Sequence, residues 1–346
     1  MAARSLDALL VTDISNIFYL TGFTGSTAAA VITDSACDIL VDPRYTVQAH
    51  AQCESSTVVE YSNKPTITAA AEVINELRPR RVGYESDKLT VSAYRILRAQ
   101  VDSGISLRST HGLVDTLRQV KDASEIALIR EAARIADDTF DTLTHEIRVG
   151  MSEKDVALLV DTTVRKLGGD KEAFETIAAS GPNSACPHAS PSDRILDAGS
   201  LLKIDFGARY RMYNSDITRT MCLGTASARQ REVYGIVLDA QLRAIAAIAP
   251  GVAGKDVDAI ARDYIASKGF GDNFGHGLGH GLGILVHDGP ALARTSDVIL
   301  EPGMVVTVEP GIYIEDWGGV RIEDDVLVTE TGREIITRAT KRLIEL

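Results

Sequence analysis

The run Leu201-Leu-Lys-Ile-Asp-Phe-Gly207 sets an acid, Asp205, inside a segment whose other members favour a buried strand. An ionised carboxylate there costs on the order of several kcal/mol unless it is paired or bound to a metal. Any fold that buries this strand must therefore bring the acid a partner. The conflict recurs at Asp216 in Tyr213-Asn-Ser-Asp-Ile-Thr-Arg-Thr220, at Glu309 in Met304-Val-Val-Thr-Val-Glu-Pro-Gly311 and at Glu323 in Gly319-Val-Arg-Ile-Glu-Asp-Asp325. A turn over Ala208 to Met212 lets Asp205 and Asp216 face one another across a hairpin. Strand alternation sets Arg321 and Glu323 on one face, giving that acid a nearby cation. Taken singly, each acid reads as a salt-bridged carboxylate at a strand end. Four of them converging in one domain would repel severely, and two divalent cations would cancel their charge.

Three of the seven histidines, His276, His280 and His287, fall in Phe274-Gly-His-Gly-Leu-Gly-His-Gly-Leu-Gly-Ile-Leu-Val-His287. No register of these glycines gives GxGxxG and no helix signal follows, so a dinucleotide loop is excluded. Repeated imidazoles against a close-packed glycine backbone read as members of a site. His188, in Ser180-Gly-Pro-Asn-Ser-Ala-Cys-Pro-His188, is either a cleft residue or an ordinary loop histidine. Nothing beside Cys186 would depress a thiol pKa, so a nucleophilic cysteine is disfavoured.

At 346 residues the chain exceeds the ~250–300 at which single cores stop growing, so two domains are expected. The first third alternates short β-rich runs (9 to 12, 28 to 33, 38 to 41, 58 to 61 and 81 to 84) with helical patterns at 69 to 77 and 92 to 99, which reads as a small α/β domain over residues 1–118. A capping box, Asp122-Ala-Ser-Glu125, opens the next helix, and residues 119–346 form a second, α+β domain. Its order is helix, helix, strands, helix, helix, strands. A net charge of −12 disfavours nucleic acid and anionic membrane surfaces as partners. Four cysteines without a CxxC pair fit a reducing, cytoplasmic setting, and the amino-terminal stretch from Met1 shows no apolar leader.

The segments Ile204–Gly207, Ser215–Thr220, His276–Gly283 with His287, Val308–Tyr313 and Val320–Asp325, in that order, resemble the pita-bread dinuclear metallopeptidases, and more closely the Xaa-Pro peptidases that include prolidases and aminopeptidases P. The resemblance implies a pita-bread catalytic domain with two divalent metal ions. Asp205 matches the terminal ligand of one ion, Asp216 and Glu323 the bridging carboxylates, and His280 and Glu309 the remaining ligands. It further implies a metal-bridging hydroxide that attacks the scissile carbonyl, with Glu309 accepting the proton. His188 and His287 match groups that orient substrate and stabilise the oxyanion, and His276 matches a further histidine of the family. One histidine among four carboxylates is a hard set suited to Mn²⁺ or Co²⁺, with Zn²⁺ as the other candidate. The full ligand set argues against the non-catalytic binding proteins of the same fold.

A dipeptidase must hold its substrate's free carboxylate, ideally with arginine. Arg44, in Val41-Asp-Pro-Arg-Tyr45, is the expected clamp, the alternative being a surface arginine paired with Asp42. Arg321 is the other cation expected near substrate. The compact amino-terminal domain favours a prolidase acting on Xaa-Pro dipeptides over an aminopeptidase P acting on longer peptides, and the family implies a homodimer through that domain.

Overall fold

The computed structural model describes residues 5–346 and divides the chain into two compact units, Met1–Leu117 and Arg118–Leu346. Residues 1–4, part of the amino-terminal stretch read above, lie outside the described residues.

The first unit is built on a six-stranded sheet ordered Thr57–Glu60, Cys37–Val41, Ala29–Ile32, Ala8–Val11, Arg81–Glu85, Ser106–Thr110. Its central strands are apolar on both faces, so their burial does not alternate. Leu10, Val31 and Leu40 pack with the helices Thr66–Leu77 and Val91–Gln100. Leu9, Ala30 and Ile39 pack on the other face with Ile17 and Ala49, from the helices Ile14–Thr21 and Thr46–Gln52. Those last two helices and the Ser106–Thr110 strand were not foreseen. Eight residues are too few to show a helical stripe, but Asp13 caps Ile14–Thr21 by accepting from the Ser15 and Asn16 amides.

The second unit repeats one plan twice. The helices Ala123–Glu146 and Glu153–Lys166, both opened by capping boxes, cover an antiparallel sheet of Ile177–Ser180, Leu201–Phe206 and Ile217–Cys222. The helices Ala228–Ala247 and Gly254–Ser267 accompany a five-stranded sheet ordered Asp288–Leu292, Gly279–Gly281, Val305–Val308, Asp324–Thr329, Gly332–Ile335. Each half has its own core, one containing Ile204, Phe206 and Ile217 and the other Val306, Val308 and Val326. The site residues lie at the strand ends of both halves.

The hairpin register differs from the expected one. Asp205 stands opposite Thr218, and pairing stops at Ile217, one residue short of Asp216. The two acids therefore share a face diagonally, not directly across. The cause is a separate ladder, Ala208–Tyr210 with Tyr213–Asn214, which turns through positive φ at Arg211 and Met212. Ser215 bulges toward Gly207, where a Cβ would lie 1.8 Å from the Ser215 carbonyl oxygen. The Arg321–Glu323 expectation is also modified. The strand Gly318–Arg321 ends at the arginine, Glu323 lies between strands, and the Arg321 guanidinium pairs with Asp205.

Candidate metal centre

Asp216, His280 and Glu323 each bring one ligand atom to a common point, all within 4.8 Å of one another. Glu309, one residue past the Val305–Val308 strand, sets Oε1 3.4 Å from His280 Nε2, and Asp216 Oδ2 lies 3.7 Å from the same nitrogen. The His280 Nδ1 faces the Gly281 carbonyl at 3.1 Å. That contact assigns the proton to Nδ1 and leaves the Nε2 lone pair for the carboxylate side.

The electrostatics are those of several buried acids facing one another, with Arg321 against Asp205 and Glu309. Burial, then Glu323 and Asp205, hold the Asp216 carboxyl well above its ordinary range, and burial together with Glu309 and Asp205 does the same to Glu323. Burial pushes Glu309 up to about 8, although Arg321 opposes the shift. Burial also pushes His280 down to about 4, with His287 adding to the effect. Asp205 Oδ1 and Asp216 Oδ1 are buried without a hydrogen-bond partner. Oxygen donors left open among mutually repelling acids, beside an imidazole with a free lone pair, fit divalent cations.

Around this cluster Thr218 joins the two halves. Its hydroxyl accepts from Arg321 Nε at 3.0 Å and donates to Glu323 Oε2 at 2.6 Å, while its carbonyl accepts from the Glu323 amide. Arg321, wholly buried, also donates to Tyr313 Oη at 2.9 Å and to the Pro187 carbonyl at 3.1 Å. His276 places Nδ1 on the Gly277 carbonyl and Nε2 2.9 Å from Tyr313 Oη, so burial, which pushes it down to about 4, leaves a neutral ring engaged at both nitrogens. A cavity of about 190 Å³ opens over the cluster, lined by His188, His276, His280, His287, Glu309 and Arg321. His188 and His287 are exposed at it, and the His287 ring meets the His280 ring edge-on at 4.3 Å.

Nine of the ten residues singled out from the sequence thus belong to the second unit and surround one cluster. Arg44 belongs to the first unit; its side chain is 70% exposed, and its Nε and Nη2 bond the Asp42 carboxylate at 2.9 and 2.7 Å. Sequence reasoning missed Thr218, Tyr313 and Lys203. Lys203 carried a signal, being a cation inside the same apolar run as Asp205. It is wholly buried, its ammonium donates to the carbonyls of Ser184, Cys186 and Pro187, and burial pushes it down to about 7.

Residues 127–330 match the metallopeptidase family M24, and residues 1–120 match the creatinase/prolidase amino-terminal domain. The chain belongs to the metallopeptidase family M24, and its two units are the amino-terminal domain and the pita-bread catalytic domain of that family. It is 36% identical over 345 residues to the Xaa-Pro dipeptidase of Pyrococcus furiosus, covering 99% of this chain and 97% of that one. The Xaa-Pro dipeptidase from Bacillus anthracis superposes with a TM-score of 0.96 at 42% identity, covering 100% of this chain and 96% of the other. The X-Pro aminopeptidase from Thermotoga maritima gives 0.91 at 38%, covering 99% and 98%.

Proposed function

We propose that this protein is a metal-dependent Xaa-Pro dipeptidase that hydrolyses the bond preceding proline. The observation that carries the reading is the buried acid cluster with open carboxylate oxygens facing a histidine-lined cavity. Full-length likeness to proteins named Xaa-Pro dipeptidase supplies the substrate class.

Asp205, Asp216, His280, Glu309 and Glu323 would hold two divalent ions. When bound, such ions polarise the scissile carbonyl and lower the pKa of water toward neutrality. Glu309, at the cavity wall, accepts the proton of the attacking water and returns it to the leaving proline nitrogen. His188 and His287 donate hydrogen bonds to the carbonyl oxygen as it gains charge. His276, held at both ring nitrogens, orients Tyr313 and through it Arg321. Arg321 in turn fixes Asp205 and lines the cavity where substrate would bind.

Four carboxylates to one imidazole favour Mn²⁺ as the physiological ion, ahead of Co²⁺ and Zn²⁺. The reading places the domain boundary at residues 118/119. It gives the amino-terminal domain two tasks, homodimer formation and capture of the substrate carboxylate by Arg44. Four free cysteines support a cytoplasmic setting. No helix among the described residues is long and apolar enough to cross a membrane.

The test is to strip the protein with chelator, restore Mn²⁺, and compare kcat/KM for an Xaa-Pro dipeptide and the same peptide extended by one residue. Preference for the dipeptide is expected. Preference for the extended peptide would make the protein an aminopeptidase of the same family, and turnover of neither would overturn the reading in favour of a binding role.

A further inference from the structure

Glu153 is another acid whose burial demands an explanation, and the chemistry above makes no use of it. It opens the Glu153–Lys166 helix with its side chain wholly buried, and its partners include no cation. Instead, neutral donors surround both oxygens. Oε1 accepts from the Ser180 amide at 2.6 Å and the Ser180 hydroxyl at 2.9 Å. Oε2 accepts from the Ser192 amide at 3.1 Å and the Ser192 hydroxyl at 2.6 Å, and Asn183 Nδ2 bridges the two oxygens at 3.2 Å. Five donor groups from three residues thus satisfy this carboxyl in the interior without an ion partner.

The three donor residues are the start, middle and end of one loop. Ser180 closes the Ile177–Ser180 strand, Asn183 sits in the Gly181–Ala185 turn, and Ser192 follows the segment that carries His188. The loop's carbonyls are taken by two buried basic side chains. Lys203 Nζ donates to Cys186 at 2.6 Å and to Pro187 at 3.2 Å, and Arg321 Nη1 donates to Pro187 at 3.1 Å. The Glu153 carboxyl thus holds the amides of Ser180 and Ser192, and Lys203 and Arg321 hold the carbonyls, of a segment that has no sheet partner at His188. Loops are mobile by default, and a histidine needed at one point of a cavity requires such anchoring.

We infer that Glu153 is a positioning residue for His188: its buried carboxylate gathers residues 180–192 and so fixes where the exposed imidazole meets the substrate. The inference rests on the Xaa-Pro hydrolase reading, in which His188 bonds the scissile carbonyl oxygen. Glutamine at 153 offers one accepting oxygen and points an NH₂ at groups that are themselves donors, so the loop loses half of its anchorage while the side chain keeps its shape.

The experiment compares Mn²⁺-loaded wild type, Glu153→Gln, His188→Ala and the double variant. Amide hydrogen exchange of peptides spanning 180–192 is expected to quicken in Glu153→Gln while the Ala228–Ala247 helix keeps its wild-type rate. For an Xaa-Pro dipeptide kcat falls by about 10- to 100-fold with KM little changed and metal content equal to wild type. The double variant turns over no more slowly than His188→Ala alone, as expected of two residues acting through one.

Unchanged exchange in the loop, multiplied losses in the double variant, or loss of bound metal with the loss of rate would each overturn the inference. Should Glu153→Gln fail to fold, Ser192→Ala removes one hydroxyl from the loop side and is expected to act in the same direction more weakly; wild-type exchange there overturns it as well. A wild-type protein inactive on Xaa-Pro peptides would sink the functional reading instead, and the exchange comparison would still decide whether Glu153 fixes the loop.

Discussion

Replacing Arg219 by methionine removes the hub that joins the two sheets of the catalytic domain. Arg219 is 1% exposed, and its Nη2 lies 2.7 Å from Asp324 Oδ1 and 2.8 Å from the Ala339 carbonyl. Its Nε donates to the Thr340 carbonyl at 3.0 Å, and its Nη1 donates to the carbonyls of Thr218 and Glu323. Methionine matches the volume and satisfies none of these acceptors. Asp324 keeps Lys341 Nζ at 2.5 Å and Gln241 Nε2 at 2.8 Å, so its charge is not wholly abandoned. Removing one partner of a buried pair costs about 3–5 kcal/mol, and the surviving partners of Asp324 put the expected loss near 3 kcal/mol. For a domain of this size that lowers the thermal midpoint by roughly 10 °C. The assay is urea unfolding of metal-stripped protein at constant m, which keeps ion binding out of the comparison. A sign test accompanies it. Although burial raises the Asp324 carboxyl, Arg219 and Lys341 outweigh it and hold the pKa below its ordinary value. Its stabilisation is therefore complete above the unfolded carboxylate range and is lost as pH falls through the lowered folded value. The wild-type advantage over the variant should shrink in acid. A loss below about 1 kcal/mol at pH 7 would refute the reasoning that this pair holds the sheets together.

Lys121 gives a prediction of opposite sense. Burial pushes it down to about 8, so the folded state carries a penalty below pH 8 that disappears as pH rises toward 10.5. Lys121→Met should be more stable than wild type at pH 7, by about 3 kcal/mol at most, with the difference gone by about pH 10.5 in urea midpoints. Gly279→Ala places a Cβ 2.0 Å from the Thr307 carbonyl oxygen, beside His280, and should weaken ion retention about tenfold, read by metal content after dialysis. Arg44→Ala should leave the unfolding midpoint unchanged, because the pair it forms with Asp42 is exposed, and should lower kcat/KM for an Xaa-Pro dipeptide more than for a tripeptide. Equal loss on both peptides would remove Arg44 as the carboxylate clamp.

Asp205, Asp216, Glu309 and Glu323 were visible in the sequence for one physical reason: an acid among apolar strand formers is costly unless something neutralises it. The glycine run between His276 and His287 was visible because close backbone approach leaves no room for side chains, as Gly281 bears out, where a Cβ would lie 1.9 Å from the Gly289 carbonyl oxygen. The register of the Asp205 hairpin was not visible. It depends on an inserted ladder with two non-glycine residues at positive φ, Arg211 and Met212, which carry no turn signature. Glu153 was hidden for another reason. An acid in the first turn of a helix is already explained by the helix dipole, so nothing marks it as buried. Lys203 obeyed the rule that exposed Asp205 and went unused because a lysine can extend its ammonium to the surface, whereas this one turns inward to three carbonyls.

The cluster draws its members from strand ends of two separately cored halves, and the contact between Arg321 and Asp205 closes 116 residues of chain. Such long-range closure comes late in folding, because the entropy of joining distant segments is lost before their contacts are made. The candidate group itself spans the halves: Asp216 comes from one, and His280 and Glu323 come from the other. An ion held there would act as a rivet fitted after assembly, and by mass action would oppose every opening motion that parts the two halves. Loading state and mechanical integrity are then one property of the domain, and a chain depleted of its ions should first come apart along the seam where the chemistry takes place.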